Sequence, residues 1–227
     1  MAASTLIPKE IKPNERRKLR ELILEVELSE QIQGETIPSI IDDDINCQVI
    51  IFLNVKINNI NSVHFVASIL QEKIKSFCVI RFYDQINEVY SFAHKRLSKI
   101  DSGEIVIDNM FETKPIPIAL NSEQKRLMNK YVSYGVIWNT KTKYEFYLEL
   151  SIKTYIIFNI KLYSKTRDLL ESEIWMNEDE MMDVYNSILL IEKLKSEQLK
   201  TDLSIDKVRI NSELKKIMEH LNEKLED

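Results

Sequence analysis

Between residues 45 and 57 the chain alternates apolar and polar positions more strictly than anywhere else. Ile45, Cys47, Val49, Ile51, Leu53, Val55 and Ile57 all fall on one side. A period of two is that of a β-strand with a buried face, and Ile50 and Phe52 on the opposite side predict a central strand covered twice. Upstream, Pro13 is placed to open a helix, and Leu19, Leu22, Ile23 and Val26 recur at i, i+3, i+4 and i+7. Gly34 is expected just past its end. Downstream, residues 58–62 punctuate the strand and can cap a helix. Its stripe would be Val63, Val66, Ala67, Leu70, Ile74 and Phe77. Strands are predicted at 77–83, 89–97 and 104–111, with turns at 84–88 and 98–103.

From Asn121 onward the pattern is helical. Asn121 and Gln124 resemble a capping box, with Leu127, Met128 and Tyr131 as the stripe before Gly135. Residues 143–164 combine a helical face with β-branched and aromatic residues that favour strand, and their length decides for helix. Two further helices are predicted near 178–200 and 204–225. In the last, Ile210, Leu214, Ile217, Leu221 and Leu225 recur like a coiled-coil or hairpin seam. The expected fold is α+β: an N-terminal helix, a four-stranded mixed sheet in β-α-β-β-β order, then an all-helical part ending in a helical hairpin. Residues 1–118 would form the sheet domain and 119–227 the helical region.

Composition narrows the chemistry. Three glycines, Gly34, Gly103 and Gly135, are too few and too scattered for a phosphate-cradling loop, and no nucleotide cofactor is expected. Cys47 and Cys78 lie in apolar runs and read as reduced core residues. With His64, His94 and His220 they have no zinc-site spacing, so no metal site is expected. No stretch has the length and apolarity of a membrane span or signal peptide, so a cytoplasmic protein without membrane attachment is expected.

The net charge of −5 is unevenly spread. Residues 9–20 hold six basic and two acidic side chains, and residues 124–144 hold five basic residues and no acid. Residues 193–227 balance eight basic against eight acidic groups, which argues for helix packing over a nucleic-acid arm.

Two places could carry chemistry. On the strand ending at Leu97, alternation puts Tyr90, Phe92, His94 and Arg96 on one face and Ser91, Ala93 and Lys95 on the other. Arg81 lies on the preceding strand. Arg81, His94, Lys95 and Arg96 are the candidate phosphate or nucleic-acid contacts; the alternative is a strand end whose charges pair with carboxylates such as Glu104 or Asp108. The second place is Pro38 to Asp42 followed by Asn54 and Lys56, similar to a metal-dependent nuclease of the PD-(D/E)xK type. Asn54 replaces the carboxylate that site needs, and Asp42, Asp43 and Asp44 read more simply as a solvated loop. No nucleophile elbow is present, and no catalytic residue is assigned.

Three stretches in order carry a family resemblance: Ile37-Pro38-Ser39-Ile40-Ile41, Ser91-Phe92-Ala93-His94-Lys95-Arg96-Leu97, and Lys207-Val208-Arg209-Ile210-Asn211-Ser212-Glu213-Leu214-Lys215-Lys216. They resemble the bacterial family of domain of unknown function 4391 over most of the chain from about residue 15. The resemblance implies an α+β N-terminal part and a helical C-terminal part, and it transfers no catalytic residue. Family members are often encoded near helicases and DNA methyltransferases, so it also implies a setting in restriction or anti-phage defence.

The expectation is a non-enzymatic accessory subunit of a bacterial DNA-defence system. Its C-terminal seam of Ile210, Leu214, Ile217, Leu221 and Leu225 would dock a helicase-like or methyltransferase partner, or a second copy. A nucleic-acid-binding module, with DNA contacted directly, is the alternative, and a degenerate nuclease the third reading.

Overall fold

Helix α1 (Pro13–Leu22) gives way directly to strand β1 (Ile23–Ile32) in the computed structural model, which describes residues 11–101 and 103–226. Lys9 and Glu10 of the basic N-terminal stretch therefore lie outside the described residues. The helix expected to continue through Val26 stops at Leu22, and the reason is a β-bulge. Ile23 pairs Ile57 and Val26 pairs Val55, so one extra residue on β1 lets positions three apart share the core face. That spacing imitates a helical stripe. β1 is also an edge strand, and its exposed Glu25, Glu27 and Glu30 together with a second bulge discourage a foreign strand from pairing there.

The alternating stretch after Pro38 is two elements instead of one. Strands β2 (Ile40–Ile41) and β3 (Asn46–Cys47) form a small antiparallel ribbon. The Asp42 carboxylate closes its turn, accepting the backbone N–H of Asp44 at 2.8 Å and of Ile45 at 2.6 Å. Strand β4 (Ile50–Ile57) then enters the main sheet. Helix α2 (Val63–Lys73) crosses to β5 (Phe77–Tyr83), which runs parallel to β4. Strands β6 (Asn87–Leu97) and β7 (Ile105–Glu112) follow antiparallel, and the short β8 (Ile116–Pro117) pairs with the start of β6. The sheet thus has six strands, β1-β4-β5-β6-β7 with β8 beside β6; β1 and β8 join the four expected. Val63, Val66, Ala67 and Leu70 of α2 bury against Leu53, Val55, Ile57, Ile80 and Phe82, with Leu19 of α1 in the same core.

The rest of the chain is helical, completing a mixed α+β fold. Helices α3 (Glu123–Tyr131) and α4 (Lys143–Phe158) precede α5 (Thr166–Glu171), α6 (Glu178–Lys200) and α7 (Ser204–Glu223). α4 resolves the ambiguous stretch as helix, and every residue in it except Glu145 is buried. Its polar side chains close locally in ways that need helical spacing. Thr154 donates to the Leu150 carbonyl at 2.7 Å and Ser151 to that of Leu148 at 3.0 Å.

α6 starts where Asn177 accepts the N–H groups of Asp179 and Glu180, with three acids in its first turn. α7 packs antiparallel on α6. Asp183 holds His220 at 2.7 Å and Lys224 at 2.9 Å near one end, and Gln198 donates to Asn211 at 2.5 Å near the other.

Two compact units result. One holds residues up to Arg126 with Thr140–Tyr147; the other holds Leu127–Asn139 and Leu148–Asp227.

Candidate functional site

Strands β5 and β6 pair only from Ile80 opposite Ser91 to Tyr83 opposite Glu88. Beyond that the two strands part, and the backbone groups of Cys78 and Ala93, both fully buried, need other partners. The Tyr147 hydroxyl enters the gap. It accepts the Ala93 N–H at 3.0 Å and lies 3.1 Å from the Ala93 carbonyl and 3.3 Å from that of Cys78. Phe77 and Phe92 pack around its ring. The Gln71 amide of α2 also reaches the parted strands, donating to the carbonyls of Cys78 and Ser91 at 3.3 Å each and accepting the Cys78 thiol.

This fork explains the side chains of the cationic strand end. Lys95 is 2% exposed. Its ammonium donates to the carbonyls of Ile74 at 2.6 Å and Ser76 at 2.9 Å, just past the end of α2. A cation there complements the helix dipole and satisfies carbonyls the helix leaves free. Burial pulls the Lys95 ammonium below the usual lysine range, with the nearby Cys78 thiol opposing. His94, on the opposite face, is also buried, its ring edge-on to Tyr147. Desolvation lowers its pKa to about 4, so it is neutral near pH 7.

The two arginines are paired. Arg96 donates to Asp108 at 2.8 Å and to the Leu97 carbonyl at 3.1 Å. Arg81 holds the buried Glu88 carboxylate at 2.6 and 2.7 Å, and Lys125 reaches the other Glu88 oxygen at 2.8 Å. Elsewhere in the basic 124–144 segment, Lys130 pairs with Glu171 and Lys143 is buried against backbone carbonyls. Arg81 stands opposite Tyr90, well along β6 from His94, Lys95 and Arg96, so the structure does not gather the four candidate phosphate contacts; two are internal and two hold carboxylates.

The nuclease-like residues stay apart in role. Asp42 serves the β2–β3 turn, and Asn54 donates to Glu27 at 3.4 Å. Among the described residues, no group of three or more His, Cys, Asp or Glu is placed to hold a metal ion.

The C-terminal seam is largely interior. Ile210, Leu214 and Leu221 are buried in the helical unit, and Ile217 and Leu225 are half-buried. What remains outside is the hairpin tip, where Leu199, Leu203, Ile205 and Val208 are 88%, 68%, 84% and 69% exposed.

The three stretches that carried the resemblance thus lie on a separate two-stranded ribbon and the loop before it, a strand fork and a helical hairpin, and comparison with known families matches residues 4–221 to the domain of unknown function DUF4391. The chain belongs to that family. No curated protein and no solved structure matches it.

In this DUF4391 chain the polar residues of α4 are functional groups that periodicity passed over. Lys143 donates to the carbonyls of Gly34 at 2.8 Å and Ile37 at 2.6 Å and to the Ser39 hydroxyl at 3.0 Å. The loop bearing Ile37-Pro38-Ser39 is thereby tied to the start of α4. In the helical unit, Glu149 is fully buried and accepts the backbone N–H groups of Trp138 at 3.0 Å and Asn139 at 2.7 Å. Lys153 donates to the same carboxylate and lies 5.1 Å from the ring centre of Trp138 and 5.0 Å from that of Trp175. A glutamate and a lysine four apart inside the most apolar helix are the signal that could have found this pair.

Two outcomes follow from these environments. The His94 pKa is lower in the folded chain than its ordinary 6.5, so the unfolded chain binds the extra proton between about pH 6.5 and 4. Stability from this group is present above that interval and is lost as pH falls through it, by about 3 kcal/mol in all. Urea unfolding at pH 7 and pH 4.5 should show a smaller drop in His94→Gln than in wild type; equal drops would contradict the assignment. Lys153→Met should cost about 3–5 kcal/mol by stranding the Glu149 carboxylate. Adding Glu149→Gln should recover at least half of that loss, and a double variant no more stable than the single would show that the pair is not the cause.

Proposed function

We propose that this chain is a non-enzymatic interaction subunit of a bacterial DNA-defence system that docks a helicase-like or methyltransferase subunit through the tip of its α6–α7 hairpin. The observation that carries the reading is the group of four large apolar side chains at the tip, Leu199, Leu203, Ile205 and Val208, all more than two-thirds exposed. Exposed apolar surface of this kind marks interaction sites in soluble proteins. Ile205 and Val208 stand three apart in the first two turns of α7 and so project from one side of it.

The flanking charges choose the kind of partner. Lys200, Asp202, Asp206 and Lys207 mix two positive and two negative charges around the tip, which fits an apolar protein groove with a polar rim and not a polyanion. The rigid seam behind them supports the same use, because Ile210, Leu214 and Leu221 fix α7 in place and present the tip as a preformed wedge. The internal positions of His94 and Lys95, with Arg81 and Arg96 held by carboxylates, weigh against direct nucleic-acid binding by those four residues.

The test is co-expression with a helicase-like or methyltransferase subunit encoded beside this chain. Leu203→Glu combined with Ile205→Glu should reduce the recovered complex at least about tenfold, as loss of a buried apolar anchor does. Unfolding temperature should stay unchanged, since neither residue is buried. Undiminished recovery, or a wild-type chain that instead self-associates through the tip, would refute the reading.

A further inference from the structure

The fork between β5 and β6 opens onto a cavity of about 330 Å³ at the end of the sheet. Its walls come from the segments that flank the parted strands: Lys75 and Ser76 before β5, Leu97 at the end of β6, Ile105 at the start of β7, and Asn46 and Gln48 from the ribbon side. Among the described residues, no acidic side chain lines it. Of the carboxylates close in sequence to these walls, Asp44 is engaged by Lys99 at 3.6 Å and Asp108 by Arg96 at 2.8 Å, while Glu104, between Gly103 and Ile105, is exposed.

Three donors on residues that line this space have no partner among the described residues: the ammonium of the exposed Lys75, the Ser76 hydroxyl and the Asn46 amide nitrogen. The Asn46 carbonyl oxygen accepts the Gln48 amide at 2.9 Å, which leaves its N–H groups available. Leu97 and Ile105 supply an apolar wall beside them.

We propose that this cavity binds a small phosphate monoester with an apolar body. Three separate donors match the three terminal oxygens of a phosphate monoester better than the two of a carboxylate. The apolar wall takes the attached group, and the volume suits one mononucleotide-sized molecule rather than a strand. The site is independent of the hairpin tip.

Isothermal titration with adenosine 5′-monophosphate, adenosine and a 5′-phosphorylated oligonucleotide tests the assignment on the full chain. Adenosine 5′-monophosphate should bind and adenosine should not. Lys75→Glu should weaken binding at least about tenfold, and Ser76→Ala, which removes only a hydroxyl, should weaken it less. Leu203→Glu/Ile205→Glu should bind the nucleotide as wild type does, which separates this site from the docking surface. Equal binding of adenosine and its monophosphate, no binding of the monophosphate at millimolar concentration, unchanged affinity in Lys75→Glu, or binding of the oligonucleotide alone would overturn the proposal.

Discussion

The parting of β5 and β6 after Ile80 and Ser91 is the constraint on which the sheet unit depends. A ladder that ends inside a core leaves backbone donors and acceptors without strand partners, and each one left unsatisfied there costs about 1–3 kcal/mol. Here the ladder is replaced by side chains. Tyr147 enters between the strands, Gln71 reaches the Cys78 and Ser91 carbonyls on them, and Lys95 satisfies carbonyls just past the end of α2. Opening the sheet at this point also lets Phe77 pack on Tyr144 and Tyr147 and leaves a cavity at the mouth of the fork.

Lysine does elsewhere what it does at the fork. Lys143 ties down the Gly34–Ile37 carbonyls, Lys125 the Ile118 carbonyl and Lys195 that of Leu162. Burying an ammonium is costly unless its donors are met. For Lys95 and Lys143 at least two short contacts to backbone oxygens meet that condition without a carboxylate. A chain with three glycines has few positions that adopt left-handed turns freely, and among the described residues only Gly34 and Gly103 have positive φ. In several irregular segments it is a lysine that closes the carbonyls.

Much of this architecture was legible in the sequence, and the exceptions have physical causes. Strand Phe77–Tyr83 and helix Glu178–Lys200 are read directly, because one is a short apolar run with a turn after it and the other has an asparagine cap, an acidic first turn and a continuous stripe. β1 was hidden by a bulge that converts a period of two into a spacing of three. Lys95 and His94 resemble surface charge because a sequence shows that a residue is cationic but not that a strand fork encloses it. The polar residues of α4 were obscured by the apolar residues around them, although Glu149 and Lys153 sit at the i, i+4 spacing of a helical ion pair. The seam from Ile210 to Leu221 was visible, but a heptad-like pattern does not say whether its partner is another chain or the preceding helix.

The central claim is that a tyrosine hydroxyl stands in for a missing stretch of β-ladder. Amide hydrogen exchange at Ala93, compared between the wild-type chain and Tyr147→Phe, tests it most directly. The account predicts slow exchange at Ala93 in the wild type and a selective acceleration in the variant, while the paired Ile80–Tyr83 amides stay protected. Fast exchange at Ala93 in the wild type, or an unchanged rate once the hydroxyl is gone, would contradict it.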